Sequence, residues 1–162
     1  MSGAAGDVAP DDGRNETANE RADRNWNDLL QELRVTQTGT QLISGFLLAV
    51  AFQSRFPELD EWQLGLYVTL VALAAASTFL GLAVVVVHRL HFAKHVKSRL
   101  VRDGGRILVA NMAIVVVLTA GVTSLIVDFA LDRTAGLVAL GAALVFSAGL
   151  FSLLVGPRGR AG

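Results

Sequence analysis

Long apolar runs without a charged residue are the main pattern of this chain. Leu64–Val87, Ile107–Val127 and Thr134–Val155 contain no Asp, Glu, Lys or Arg. Each run has 21 residues or more, and about 20 apolar residues cross the ~30 Å hydrocarbon core of a bilayer as a helix. The pattern therefore predicts three transmembrane helices.

A fourth charge-free run, Val35–Gln53, is more polar in its first half. A buried helix of a soluble domain is the alternative interpretation. Three neighbouring spans and a short following loop favour a fourth span. We expect an all-α membrane protein whose four transmembrane helices form two hairpins, over about 35–54, 64–87, 107–127 and 135–155.

The segment before the first span has two parts. Residues 1–24 contain no large apolar residue beyond Met1 and Val8, which predicts a disordered tail. Trp26, Leu29 and Leu33 then recur at helical spacing, and tryptophan suits the headgroup region. We expect an interfacial amphipathic helix that continues into the first span of a membrane domain over 25–157.

The net charge is zero, but the positive residues are unevenly distributed. Twelve of the 14 Lys and Arg residues fall in the N-terminal segment, the 88–106 segment and the C-terminal residues 158–162. The loops around 54–62 and 128–133 hold only Arg55 and Arg133. Because cytoplasmic loops carry an excess of Lys and Arg, we expect both termini to be cytoplasmic in a multi-pass protein of the cell (inner) membrane, with 158–162 a short cytoplasmic tail.

Small residues provide candidate helix-packing surfaces, because close packing holds helices together in lipid. The second span has Ser77 and Gly81 four residues apart, and the last span has a ridge of small residues at the same spacing. These surfaces could pack within one chain or between copies. The ridge consists of Ala135, Ala139, Ala143 and Ser147.

A polar arc marks the first span. On a helical wheel, Arg34, Gln37, Thr38, Gln41 and Gly45 fall within about 100°. Two glutamines so close to the membrane surface would be costly against lipid, so the arc should face the bundle interior or a neighbour. Interhelical hydrogen bonding is favoured over a polar substrate path.

All three histidines lie in a basic segment, 88–102, that predicts a cytoplasmic amphipathic helix ended by the Asp103-Gly104-Gly105 sequence. His88, His91 and His95 could approach one metal ion, but Arg99 and Arg102 share their face and repel a cation. The segment is better explained as a positive-inside anchor whose basic residues contact anionic lipid headgroups, with pH-tuned contact a secondary hypothesis. The candidate lipid-contact residues are Lys94, Lys97, Arg99, Arg102 and Arg106.

The stretch ELRVTQTGTQLISGFLLAVAFQSRFPEL, with Tyr67 and the later HRLHF, resembles a domain-of-unknown-function family of small four-helix bacterial, largely actinobacterial, membrane proteins. The resemblance runs from about Asp28 to the end of the last span and implies a four-span fold without a firm activity. It supports only His88 among the histidines. A hairpin would bring one polar cluster together at the cytoplasmic rim: Glu32, Arg34, Gln37, Gln41, His88 and Arg89.

The chain has no cysteine and no catalytic or nucleotide-binding motif, so we expect no enzyme, metal or cofactor. The expected partners are the lipid bilayer and a second copy of the chain, and no nucleic acid. The leading hypothesis is a structural or interaction component of the membrane. The alternative is a small transporter or channel subunit that uses the polar stripe of the first span.

Overall fold

A computed structural model of the chain describes residues 17–91 and 97–155. The side chains of residues 18, 19, 22, 87–91, 97–103, 154 and 155 lie outside that description. The described part contains four α-helices and a short 3₁₀ turn. The helices are α1 (Ala18–Val50), α2 (Glu61–His91), α3 (Lys97–Ala130) and α4 (Arg133–Val155), and the turn is Phe56–Glu58.

Three of these helices are long and apolar enough to cross a membrane. The qualifying segments are Glu61–Val86, Gly104–Ala130 and Arg133–Leu153, as the charge-free runs predicted. They indicate a membrane protein. The more polar α1 is 33 residues long, or about 50 Å, and does not have a comparably apolar window within its described residues.

Helix α1 begins earlier than expected, inside the segment predicted to be a disordered tail. Thr17 accepts a hydrogen bond from the Glu20 backbone N–H, and the Glu20 carboxylate accepts one from the Thr17 N–H. This reciprocal capping box satisfies two backbone donors that a helix start otherwise leaves unpaired. Residues 1–16, the rest of the predicted tail, lie outside the described residues.

The predicted interfacial helix is part of α1 and packs into the bundle. Trp26 is only 6% exposed, and it forms one cluster with Leu29, Leu33, Val84 and Leu108. These apolar side chains of α1 therefore face α2 and α3. Burial of the indole and leucine side chains against two apolar helices is the physical reason for the difference.

The predicted turn at Asp103-Gly104-Gly105 is wrong, because α3 runs through it from Lys97. The absent side chain of Gly104 makes room for α1: a Cβ there would lie 3.2 Å from the Trp26 ring and 3.3 Å from Leu29. The predicted basic helix 88–102 is thus divided between α2 and α3. Residues 92–96, which connect them, lie outside the described residues.

Helices α1, α2 and α3 enclose the core, and α4 packs mainly on α3. One end of the bundle, here called the acidic end, contains residues 51–60 and 131–132; the other, the basic end, contains the start of α1, the end of α2 and the start of α3. An apolar cluster of Leu47, Tyr67, Leu70, Leu118 and Leu125 fills the core towards the acidic end. The cluster around Trp26 fills it towards the basic end.

Candidate functional site

A buried polar layer separates the two apolar clusters of the core. Thr40 on α1, Ser77 on α2 and Asn111 on α3 are each at most 1% exposed. The Thr40 and Ser77 hydroxyl oxygens lie 3.1 Å apart, and Ser77 donates to Asn111 Oδ1 at 2.7 Å. One polar side chain from each helix therefore meets at the three-helix junction.

The two hydroxyl groups of the layer have one proton too few for their contacts. Thr40 also donates to the Thr36 carbonyl oxygen at 3.0 Å, so two hydroxyl protons serve three contacts. Meanwhile the buried Asn111 Nδ2 has no acceptor. A 180° rotation of the Asn111 side-chain amide would let Nδ2 donate to Ser77 and would leave Oδ1 unpaired. A buried carbonyl oxygen without a partner is more easily tolerated than a buried N–H group without one.

Gln37 closes the layer on the side of the basic end. Its side chain lies over Gly81, where a Cβ would fall 1.8 Å from Gln37 Nε2. Together with the buried Ser77, this places the predicted Ser77/Gly81 packing surface inside the bundle, against α1 and α3. The surface is used within one chain.

Apart from Gln37, the polar arc of α1 does not face the interior. Gln37 is half-buried, whereas Arg34, Thr38, Gln41 and Gly45 are exposed. The buried face of the helix is formed by Leu33, Thr40 and Leu47, at seven-residue spacing. The interior orientation is therefore wrong for these four residues, and the alternative, contact with a neighbour outside the bundle, stays a prediction.

The predicted polar cluster at the rim is not assembled among its described members. Glu32, Arg34 and Gln41 point outward, and only Gln37 approaches α2. The backbone of His88 and Arg89 lies in α2, but their side chains fall outside the description.

The basic lipid-contact residues fall mostly outside the described side chains. Lys94 and His95 lie in 92–96, and nothing is described of the side chains of His91, Lys97, Arg99 or Arg102. Arg106 is exposed near the start of α3. Among the residues that are described, no three His, Asp or Glu side chains are grouped so that they could hold a metal ion.

The small-residue ridge of α4 is half-buried at Ala135, Ala139, Ala143 and Ser147. The neighbouring Gly136 lies close against α3. A Cβ there would lie 2.6 Å from Asp128 Cβ and 3.0 Å from the Ser124 carbonyl oxygen. Ser124 Oγ also donates to the Gly136 carbonyl oxygen at 2.8 Å.

A charged network at the acidic end was not predicted as a site. Asp128 is only 6% exposed. Its carboxylate accepts hydrogen bonds from Gln63 Nε2 at 2.8 Å and from Arg133 Nε at 2.7 Å. Arg133 also pairs with Asp60 through a terminal guanidinium nitrogen and lies over the Trp62 ring, 5.5 Å from its centroid. The network joins the ends of α2, α3 and α4.

Asp60 ties this network to the start of α2. Its carboxylate accepts from the Gln63 N–H at 2.9 Å, and Gln63 Oε1 accepts from the Asp60 N–H at 3.1 Å. The backbone hydrogen bond from Gln63 lowers the pKa of the Asp60 carboxyl group, and the positive charge of Arg133 lowers it further. The sequence did contain a signal for the contact between these two residues. Asp60 is followed three residues later by a glutamine, which is the spacing of a capping box.

Two lateral clefts flank α1. One, of about 340 Å³, lies between α1 and α2 and includes Tyr67 and Phe79. The other, of about 390 Å³, lies between the ends of α1 and α3 at the acidic end. Tyr67 closes the bundle between them, because its hydroxyl donates to the Leu47 carbonyl oxygen at 2.9 Å and its ring packs edge-on against Phe56.

Comparison with family models matches residues 15–155 to a family of unknown function, DUF6328. The chain belongs to this family. The match covers all four described helices and leaves out residues 1–14 and 156–162. It confirms the resemblance to a domain-of-unknown-function family. Neither the curated proteins nor the solved structures gave a match.

Proposed function

We propose that this family member is a four-span protein of the cell inner membrane that acts as a structural or interaction component and assembles with a second copy of itself. In this proposal α1 crosses the membrane in addition to α2, α3 and α4. This helix contacts two apolar, membrane-length helices from Leu29 to Leu47, which supports a position at membrane depth. The excess of Lys and Arg at the basic end supports a cytoplasmic location for both termini.

The observation that carries the assembly proposal is the exposure of Gln41. It follows Thr40 directly, so it lies at the depth of the buried polar layer but on the outside of the bundle. An amide that faces lipid without a hydrogen-bond partner is costly. Gln41 therefore requires a polar partner beyond its own bundle.

A second copy supplies that partner by symmetry. A two-fold axis along the membrane normal brings the same residue of two chains together. The glutamine amide carries both donors and an acceptor, so two copies can pair with each other. Gly45, one turn further along, is open to the outside, since a Cβ there would meet nothing within 4 Å. This space allows two backbones to approach closely.

The closed core supports an assembly role over transport. The polar layer of Thr40, Ser77 and Asn111 is bounded on both sides by apolar clusters. A transport path would need polar groups at successive depths. We propose that the cytoplasmic basic residues Lys94 to Arg106 contact anionic headgroups, supported by their charge alone.

Transport is the second candidate, favoured by one feature: the unpaired Asn111 Nδ2. Proteoliposomes that contain the protein test both functions when solute flux and oligomeric state are measured on the same sample. We expect an oligomer without flux above that of empty liposomes. Flux that Asn111→Leu abolishes, from a monomeric protein, would instead establish the transport alternative.

A further inference from the structure

The cleft between the ends of α1 and α3 has a polar mouth and an apolar interior. Phe46 and Val50 of α1 form one wall, and Val122 and Ile126 of α3 form the other. Gln53, Ser54 and Arg55 lie at the mouth. From Val122 to Ala130 the cleft follows α3 for about 12 Å. Its volume of about 390 Å³ lies within the range of ligand pockets.

Arg55 is held at this mouth in a position to meet an anion. Its guanidinium lies over the Phe129 ring, 4.5 Å from the centroid, and its Nε donates to the Glu58 carboxylate at 2.9 Å. That bond uses one of the five N–H donors of an arginine. The side chain remains 65% exposed, so the other donors are accessible to a ligand at the membrane surface.

We propose that this cleft binds a phospholipid of the leaflet at the acidic end, with one acyl chain between α1 and α3 and the phosphate on Arg55. The arrangement matches a lipid in polarity and direction, because the charged group lies at the end of the spans and the apolar walls continue into the bilayer. An arginine binds phosphate through strong charge-assisted hydrogen bonds. Glu58 competes with the phosphate for the same guanidinium.

This site is independent of the proposed self-assembly. Phe46 and Val50 lie on the side of α1 away from Gln41, at helical-wheel positions about 140° and 180° from it. A lipid in the cleft and a second copy at Gln41 can therefore be tested by separate substitutions.

Native mass spectrometry of the full-length protein in detergent, titrated with dipalmitoyl phosphatidylglycerol, tests the site. We expect one tightly retained lipid per chain. Arg55→Ala should weaken its binding about tenfold, whereas Glu58→Gln should strengthen it by freeing the guanidinium. A structural role of the Arg55–Glu58 pair would instead make both substitutions act in the same direction.

Two tryptophan substitutions on α3, one inside the cleft and one outside it, form a matched pair of variants that tests whether the lipid occupies the cleft. Ile126→Trp places an indole between the walls and should abolish retention. Val117→Trp makes the same kind of change on an exposed position of α3 outside the cleft and should leave retention unchanged. Helix content by circular dichroism identifies a variant that fails to fold. Equal lipid retention by folded Ile126→Trp and Val117→Trp proteins, or by Arg55→Ala and wild type, would overturn the proposal.

Discussion

Gln63 on α2 donates a 2.8 Å hydrogen bond to the buried carboxylate of Asp128 on α3, and this contact is the centre of the network that holds the acidic end together. The two residues are 65 positions apart in the chain. Asp128 also receives Arg133, which reaches on to Asp60. Three helix ends are thus joined through one carboxylate.

Loss of that carboxylate should destabilise the protein. Asp128→Ala leaves the Gln63 side-chain amide without its acceptor and Arg133 with Asp60 as its one carboxylate partner in this network, and we expect a cost of about 2–4 kcal/mol. The thermal midpoint in a mild detergent measures the effect. Glu61→Gln, an exposed substitution nearby, is the control and should change it little. An equally small effect for Asp128→Ala would contradict a structural role for the network.

Close packing of α4 on α3 should depend on Gly136. A Cβ at this position meets Asp128 Cβ at 2.6 Å and backbone atoms of α3 at 3.0 Å, which cannot move aside easily. Gly136→Ala should therefore cost about 1–3 kcal/mol. Gly81→Ala should cost less, because the flexible end of Gln37 can move away.

Gly141→Ala is the control for both glycine variants, since a Cβ there meets nothing within 4 Å. Alanine favours a helix over glycine by about 1 kcal/mol, so this variant should be neutral or slightly stabilised. The thermal midpoint in a mild detergent ranks the Gly136→Ala, Gly81→Ala and Gly141→Ala proteins by stability. A Gly136→Ala protein as stable as Gly141→Ala would mean that α4 is not held where the structure places it.

Two neighbouring members of the polar layer, Asn111 and Ser77, should respond differently to substitution. Asn111→Leu removes the amide with the unpaired Nδ2, and Ser77 can then donate to Thr40, so we expect a change within about 1 kcal/mol. Ser77→Ala leaves the Asn111 amide buried without any partner and should cost about 1–3 kcal/mol. Chemical unfolding of both variants in detergent compares them, and the reverse order would refute this hydrogen-bond assignment.

Stability should fall as Asp60 takes up a proton. Its pKa is lower in the folded chain than in the unfolded one, so the ionised carboxylate stabilises the fold at pH values above the pKa of an aspartate in the unfolded chain. That contribution is lost as the pH falls through the lower, folded-state pKa. Asn at this position keeps the helix cap but does not titrate. The thermal midpoint of Asp60→Asn should therefore fall less than that of wild type between pH 6 and pH 3; parallel curves would exclude Asp60 as a contributor.

Part of this fold follows from sequence alone. The spans in α2, α3 and α4 are long runs without charge, and length and hydropathy suffice to recognise them. The helical wheel also placed Arg34, Thr38 and Gln41 correctly on one face of α1. It left open whether that face meets the bundle interior or a neighbour, and the interior alternative was wrong for these three residues. The seven-residue spacing of Leu33, Thr40 and Leu47 was the overlooked signal.

The remaining differences have similar physical causes. Asp103-Gly104-Gly105 has the composition of a turn, but Gly104 serves as a contact surface for Trp26 and Leu29 on a distant helix. Arg133 was considered only as a charge that orients the protein in the membrane, and Asp128 was not considered as a member of a site. Their pairing depends on how α2, α3 and α4 come together, which no local pattern encodes.

Single-molecule photobleaching of the fluorescently labelled protein in liposomes tests the central claim, that the chain assembles through the outward face of α1. Wild type should bleach in two or more steps. Gln41→Leu should shift the population towards single steps with little change in thermal stability, because Gln41 is exposed on its own bundle. Thr69→Leu, a matched loss of an exposed polar group on α2, should bleach like wild type. Single-step bleaching of wild type, or identical step distributions for wild type and Gln41→Leu, would contradict the account.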